Sequence, residues 1–78
     1  MELSLNYFGM IAEATNVQQE KLNLEVKTIV ELKGVLIARY PAIEKLNYQF
    51  AVNQNIVGND FQLSNGDEIA LLPPFAGG

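Results

Sequence analysis

Apolar and polar residues alternate from Leu3 to Tyr7, with Leu3, Leu5 and Tyr7 on one side and Ser4, Asn6 and Phe8 on the other. A period of two predicts a half-buried strand, and Gly9 stops it. Residues 10–14 fit a short helix with Met10, Ile11 and Ala14 inward, ending near Thr15 and Asn16. Residues 17–26 predict a second strand, in which Leu22, Leu24 and Val26 alternate with Lys21, Asn23, Glu25 and Lys27. Its place directly after the first strand predicts an antiparallel pair.

The clearest helix covers residues 28–40. Ile29, Leu32, Leu36 and Tyr40 recur at helical spacing with Val35 beside them, and Thr28 followed three residues later by Glu31 makes a capping box. Gly34 inside it costs about 1 kcal/mol relative to Ala, which close packing on a sheet would offset. Pro41 ends the helix, and residues 42–46 leave room for one more turn. Residues 48–52 alternate again, with Phe50 and Val52 inward alongside Tyr48. Asn53-Gln54-Asn55 makes a turn, Ile56-Val57 a brief return strand, and Gly58-Asn59-Asp60 closes it. Phe61 and Leu63 lead to Ser64-Asn65-Gly66-Asp67, where Asn and Gly supply the positive φ that most residues resist. Residues 68–72 form the last strand, and Pro73-Pro74, unable to donate ladder hydrogen bonds, end it.

This order predicts an α+β fold, a mixed sheet of about five strands with one main helix packed on one face. A single helix crossing between an N-terminal hairpin and the later strands fits a β-grasp, in which the first and last strands lie side by side in the sheet interior. Residues 1–74 are then the domain and residues 75–78 a flexible tail. Pleating locates a second face. If Leu3, Leu5 and Tyr7 point to the helix, Phe8 points away, and if Ile69 and Leu71 point to it, Ala70 and Leu72 point away. Phe8 and Leu72 would then share an exposed apolar patch beside Phe75, and such patches mark interfaces.

Composition narrows the chemistry. The 78 residues include no Cys, His or Trp, which excludes disulfides, thiolate or imidazole metal sites and every Cys-His or Ser-His arrangement. A hydrophobic share of 49% against 18% charged is too apolar for a disordered chain, so a packed core is expected. The net charge of −4, with Lys21, Lys27, Lys33, Arg39 and Lys45 spread evenly, argues against nucleic acid or an anionic membrane as partner. No leader-like or membrane-spanning run is present, so a cytoplasmic protein is expected. Asp67-Glu68 is the one adjacent carboxylate pair, but neighbours in a strand face opposite ways, which disfavours joint acid–base work. Tyr7, Tyr40 and Tyr48 read as packed aromatics with solvated hydroxyls.

The end of the sequence carries the strongest functional signal. Pro73-Pro74 favours an extended exit, and six residues reach at most about 20 Å beyond the last strand. Gly77 and Gly78 lack side chains, so they can enter a narrow channel and present an α-carboxylate to another protein's active site. A carboxylate is a poor electrophile until a phosphoanhydride gives it a good leaving group. With no phosphate-binding loop, general base or metal cluster in the chain, that activation has to come from another protein.

The block Asn65-Gly66-Asp67-Glu68-Ile69-Ala70-Leu71-Leu72-Pro73-Pro74-Phe75-Ala76-Gly77-Gly78 resembles the end of the molybdopterin synthase small subunit family. Asn6-Tyr7-Phe8-Gly9 leading into a helix with Glu13, the helix opening Thr28-Ile29-Val30-Glu31-Leu32, and Phe50-Ala51-Val52-Asn53-Gln54 extend the resemblance over nearly the whole chain. The resemblance implies a sulfur carrier that is itself non-catalytic and binds no cofactor. An adenylating enzyme would use ATP to convert the Gly78 carboxylate to an acyl-adenylate, and a sulfur donor protein would replace AMP to leave a thiocarboxylate. The large synthase subunit would receive the tail and pass its sulfur to cyclic pyranopterin monophosphate, forming the dithiolene. Phe8, Ala70, Leu72, Pro73, Pro74, Phe75, Ala76 and Gly77 are the partner-binding residues in this picture. Many family members carry Arg before the glutamate that Glu13 matches; here that position is Ala12. A thiamine-pathway carrier, disfavoured by Pro73-Pro74 and by residues 10–14, a ubiquitin-like modifier attached through Gly78, and an inert binding module are the alternatives.

Overall fold

The computed structural model describes residues 1–74. The elements are β1 (Glu2–Tyr7), α1 (Gly9–Thr15), β2 (Gln19–Asn23), α2 (Ile29–Arg39), a 3₁₀ turn (Pro41–Lys45), β3 (Gln49–Val52), β4 (Asn55–Val57) and β5 (Glu68–Leu72). The five strands make one sheet in the order β2-β1-β5-β3-β4. β1 and β5 run parallel and every other neighbour pair is antiparallel. This is the β-grasp arrangement expected from the pattern, with the first and last strands joined inside the sheet. One face carries Leu3, Leu5, Tyr7, Phe50, Val52, Ile69 and Leu71, and it is buried beneath Ile29, Leu32 and Leu36 of α2, Ile11 of α1 and Ile43 of the 3₁₀ turn. Each fully buried aliphatic side chain contributes about 1.5–3 kcal/mol.

The start of α2 is tied to a distant loop. Thr28 Oγ1 accepts from Glu31 N at 3.4 Å, while Glu31 Oε1 accepts from Lys27 N at 3.0 Å, so the capping box reaches one residue further back than its usual form. Ile29 N donates to Phe61 O at 3.2 Å and Val30 N to Asn59 O at 3.1 Å, which satisfies helix donors that would otherwise face solvent.

Several details depart from the sequence expectations. β2 spans five residues, Gln19–Asn23, well short of residues 17–26, and its ladder with β1 runs from Glu2 opposite Asn23 to Asn6 opposite Gln19. In α1, Ile11 is buried but Met10 is 65% exposed, since adjacent helix positions lie about 100° apart and the inward stripe is Ile11 and Thr15. Gly34 does not serve close packing. A Cβ built there meets no atom within 4 Å. Gly34→Ala is therefore expected to stabilise the fold by about 1 kcal/mol, read as a rise in urea midpoint at unchanged slope.

The tyrosines also differ from expectation. Glu20 pairs with Leu5 across the β1–β2 ladder and so sits on the core-facing side of an edge strand. A carboxylate in that position needs donors. Tyr7 Oη donates to Glu20 Oε2 at 2.6 Å and Tyr40 Oη donates to the same oxygen at 2.7 Å, with Arg39 Nη2 4.0 Å from Oε1. The Tyr48 hydroxyl is buried and finds no hydrogen-bond partner among the described residues. Burial, and then the bond to Glu20 and its negative charge, hold the Tyr7 hydroxyl far above the usual tyrosine range; Tyr40 is raised for the same reasons. A raised folded-state pKa means the native state keeps its proton longer than the unfolded chain. Stability is thus fully present below about pH 10, the unfolded value, and is lost as pH climbs beyond it. Melting temperature should fall steeply above about pH 10, and Tyr7→Phe should flatten that fall while costing about 1–2 kcal/mol at pH 7.

Candidate docking site and tail root

The face of the sheet turned away from α2 is built from the alternate positions of the same strands. Across it, Asn6 on β1, Ala70 on β5, Ala51 on β3 and Ile56 on β4 fall in one row, each paired in register with the next. Leu72 pairs with Gln49 one step along. Two methyl groups in the middle and larger side chains around them produce a concavity. It has a volume of about 450 Å³ and is lined by Asn6, Phe8, Ala51, Gln54, Ile56, Glu68, Ala70 and Leu72. Ala51 forms its floor at 5% exposure, whereas Phe8 and Ile56 are about half exposed. Glu68 is the one charged residue of the lining among the described residues. A contiguous apolar hollow with an amide and carboxylate rim is suited to protein contact.

Gln54 reaches the rim through a strained turn. Asn53 and Gln54 have φ of 50° and 74° respectively, the two left-handed residues of a hairpin turn that favours Asn-Gly. A non-glycine residue there carries about 1 kcal/mol of strain. Asp67, next to the rim, is occupied in closing the preceding turn: it accepts from Ser64 N at 2.8 Å and from Asn53 Nδ2 at 3.0 Å.

The last strand leaves at one edge of this hollow. Phe8 N donates to Leu71 O at 3.2 Å, which extends the β1–β5 ladder by one rung and holds Phe8 beside Leu72. Pro73 then packs over Gly9. A Cβ on Gly9 would lie 3.1 Å from Pro73 Cγ, and its φ of +57° is itself costly for other residues. Gly9 therefore sets both the entry to α1 and the direction in which the tail departs.

Phe8, Ala70 and Leu72 thus share one face, as pleating predicts, and Pro73 and Pro74 are exposed at its edge. Phe75, Ala76, Gly77 and Gly78 lie outside the described residues. Sequence reasoning missed Ala51, Ile56, Gln54 and Glu68 as lining residues, and Gly9 as the seat of the tail root. Ala51 was within reach, since alternation opposes it to Phe50. Ile56 was not, because a three-residue strand has too little pattern to assign a face.

Comparisons with known proteins bear on the family and the fold. The ThiS family profile matches residues 5–78. The human molybdopterin synthase sulfur carrier subunit is 34% identical over 84 aligned positions, which cover 99% of this chain and 94% of the relative. Among solved structures, the complex of subunits 1 and 2 of molybdopterin-converting factor from Helicobacter pylori contains a chain 26% identical, with a TM-score of 0.70 and full coverage of both. Small archaeal modifier protein 1 from Methanosarcina acetivorans superposes with a TM-score of 0.82 at 22% identity, over 99% of this chain and 96% of that one, and so shares the fold. By a match that runs from the first strand to the final glycine, the chain belongs to the ThiS family.

Proposed function

We propose that this chain is the sulfur carrier subunit of molybdopterin synthase. The observation that carries the reading is the continuity of β5: it forms the wall of an apolar docking hollow and runs directly into Pro73-Pro74 and a glycine-terminated end. Likeness to the human carrier subunit and to a chain solved in complex with a second subunit supports it.

In this mechanism the domain is a handle and the Gly78 carboxylate is the cargo site. On an adenylating enzyme the carboxylate attacks the α-phosphorus of ATP, pyrophosphate leaves, and the acyl-adenylate is formed. Sulfide-level sulfur released by a donor protein then attacks the acyl carbon, AMP leaves, and the product is the Gly78 thiocarboxylate. The large subunit receives the loaded tail and holds cyclic pyranopterin monophosphate, which needs two sulfurs and therefore two loaded carriers or two cycles. The carrier contributes no general acid, base or cofactor of its own. No helix among the described residues is long and apolar enough to cross a membrane, and we place the carrier in the cytoplasm with its ATP-dependent partner.

Intact-mass measurement after incubation with the activating enzyme, ATP and a sulfur donor tests the reading. A gain equal to the difference between one sulfur and one oxygen is expected, lost again when the large subunit and its substrate are added. Conjugates to lysine would identify a modifier instead, and an unchanged mass would identify an inert module.

A further inference from the structure

The tail root has a second flank. On the side of Pro73 and Pro74 away from the sheet hollow lies a groove of about 330 Å³ whose other walls are Met10, Ile11, Leu46, Asn47 and Lys45. Met10, at 65%, is the most exposed large apolar side chain among the described residues. Ile11 belongs to the core and Leu46 packs against it, whereas Met10, Lys45 and Asn47 are exposed.

We propose that the large subunit grips this groove as well as the sheet hollow, so that the tail is held by a collar with an acidic flank at Glu68 and a basic flank at Lys45. The proposal rests on the carrier reading above and adds a second contact surface to it. Reach is the first argument. Four residues follow Pro74 and span at most about 14 Å fully extended. A partner that brings a reacting centre to the end of so short a tether has to close its wall on the root, and a wall that closes there covers both flanks. Pro73 packs closely over Gly9, between the two flanks.

Charge is the second argument. The chain has a net charge of −4, and among the described residues the sheet hollow has one charge, Glu68, and the groove one charge of opposite sign, Lys45. Two flanks of opposite sign on either side of the root specify an orientation. The matching partner surface presents a cation beside the hollow, and an apolar anchor followed by a carboxylate beside the groove. A partner turned end for end would set like charges against each other, which is disfavoured.

The test is calorimetric titration of the large subunit with variants of the intact carrier, with circular dichroism confirming the fold of each. Lys45→Glu and Met10→Ser are each expected to weaken binding about tenfold, Lys45→Arg to stay within about twofold of wild type, and Lys45→Glu to show a weaker response to added salt. Phe8→Asp, in the sheet hollow, is the control for the underlying reading. If Phe8→Asp loses binding while Lys45→Glu and Met10→Ser bind within about twofold of wild type, the groove is not part of the interface and the carrier reading stands. Loss of binding by these two variants only toward the activating enzyme would also overturn the assignment to the large subunit. If Phe8→Asp binds normally, the hollow is not the docking site and the collar, which needs both flanks, falls; if wild type does not bind the large subunit at all, the carrier reading falls.

Discussion

A chain lacking Gly78 is expected to fold as the full chain does and to carry no sulfur. Among the described residues the last buried member of the core is Leu71, and Pro73 and Pro74 are already exposed. Removing one residue beyond them should change stability by no more than about 0.5 kcal/mol. The chemistry has no such tolerance. Truncation moves the carboxylate back by one residue, about 3.5 Å along an extended chain. A displacement of about 1 Å at a reacting centre already costs about a hundredfold in rate, so adenylation and thiocarboxylation should both fall below detection. Gly78→Ala tests the same point without shortening the chain, because it adds a Cβ where the reading requires a side-chainless end. The readouts are the intact mass after the activation reaction and dithiolene formation with the large subunit. A truncated chain that still gains sulfur would mean that Gly78 is not required as the sulfur-bearing residue.

Local pattern was enough to place the strands, the main helix and the outward direction of Phe8, Ala70 and Leu72, because period-two alternation is a property of a few consecutive residues. It failed where the deciding contact came from elsewhere in the chain. The alternation that puts Leu22 inward also puts Glu20 inward, yet a carboxylate in that position makes sense only once Tyr7 and Tyr40 arrive from β1 and the end of α2. Gly9 looked like a strand stop, and its second role depends on Pro73 at the far end of the chain. Helical position alone does not say whether Gly34 meets the sheet, and in this fold it faces open space. The basic groove could not be seen at all, being assembled from α1, the 3₁₀ turn and the tail root. What remained legible was the tail itself, whose chemistry depends on side chains it does not have.

Phe8→Asp should separate binding from folding more cleanly than any other single substitution. Phe8 is 47% exposed, so its ring contributes little to the core of the free domain. Its backbone bond to Leu71 is independent of the side chain. Phe8 is also the N-cap of α1, in extended backbone and with no side-chain cap bond. Asp is among the best residues for that position, so the variant should be as stable as wild type or gain up to about 1 kcal/mol. In a complex the same change has the opposite sign. An aromatic ring at the centre of an interface is the kind of side chain whose loss costs at least about 2 kcal/mol. The new carboxylate would in addition be desolvated beside Glu68, a like charge on the same rim. Together these amount to a weakening of at least about 30-fold in Kd, and complex formation at micromolar concentration should disappear. Thermal melting and titration with the large subunit, performed on one preparation, give both signs at once. A destabilised variant would mean that Phe8 belongs to the core, and a stable variant with undiminished affinity would mean that the hollow is not where the partner docks.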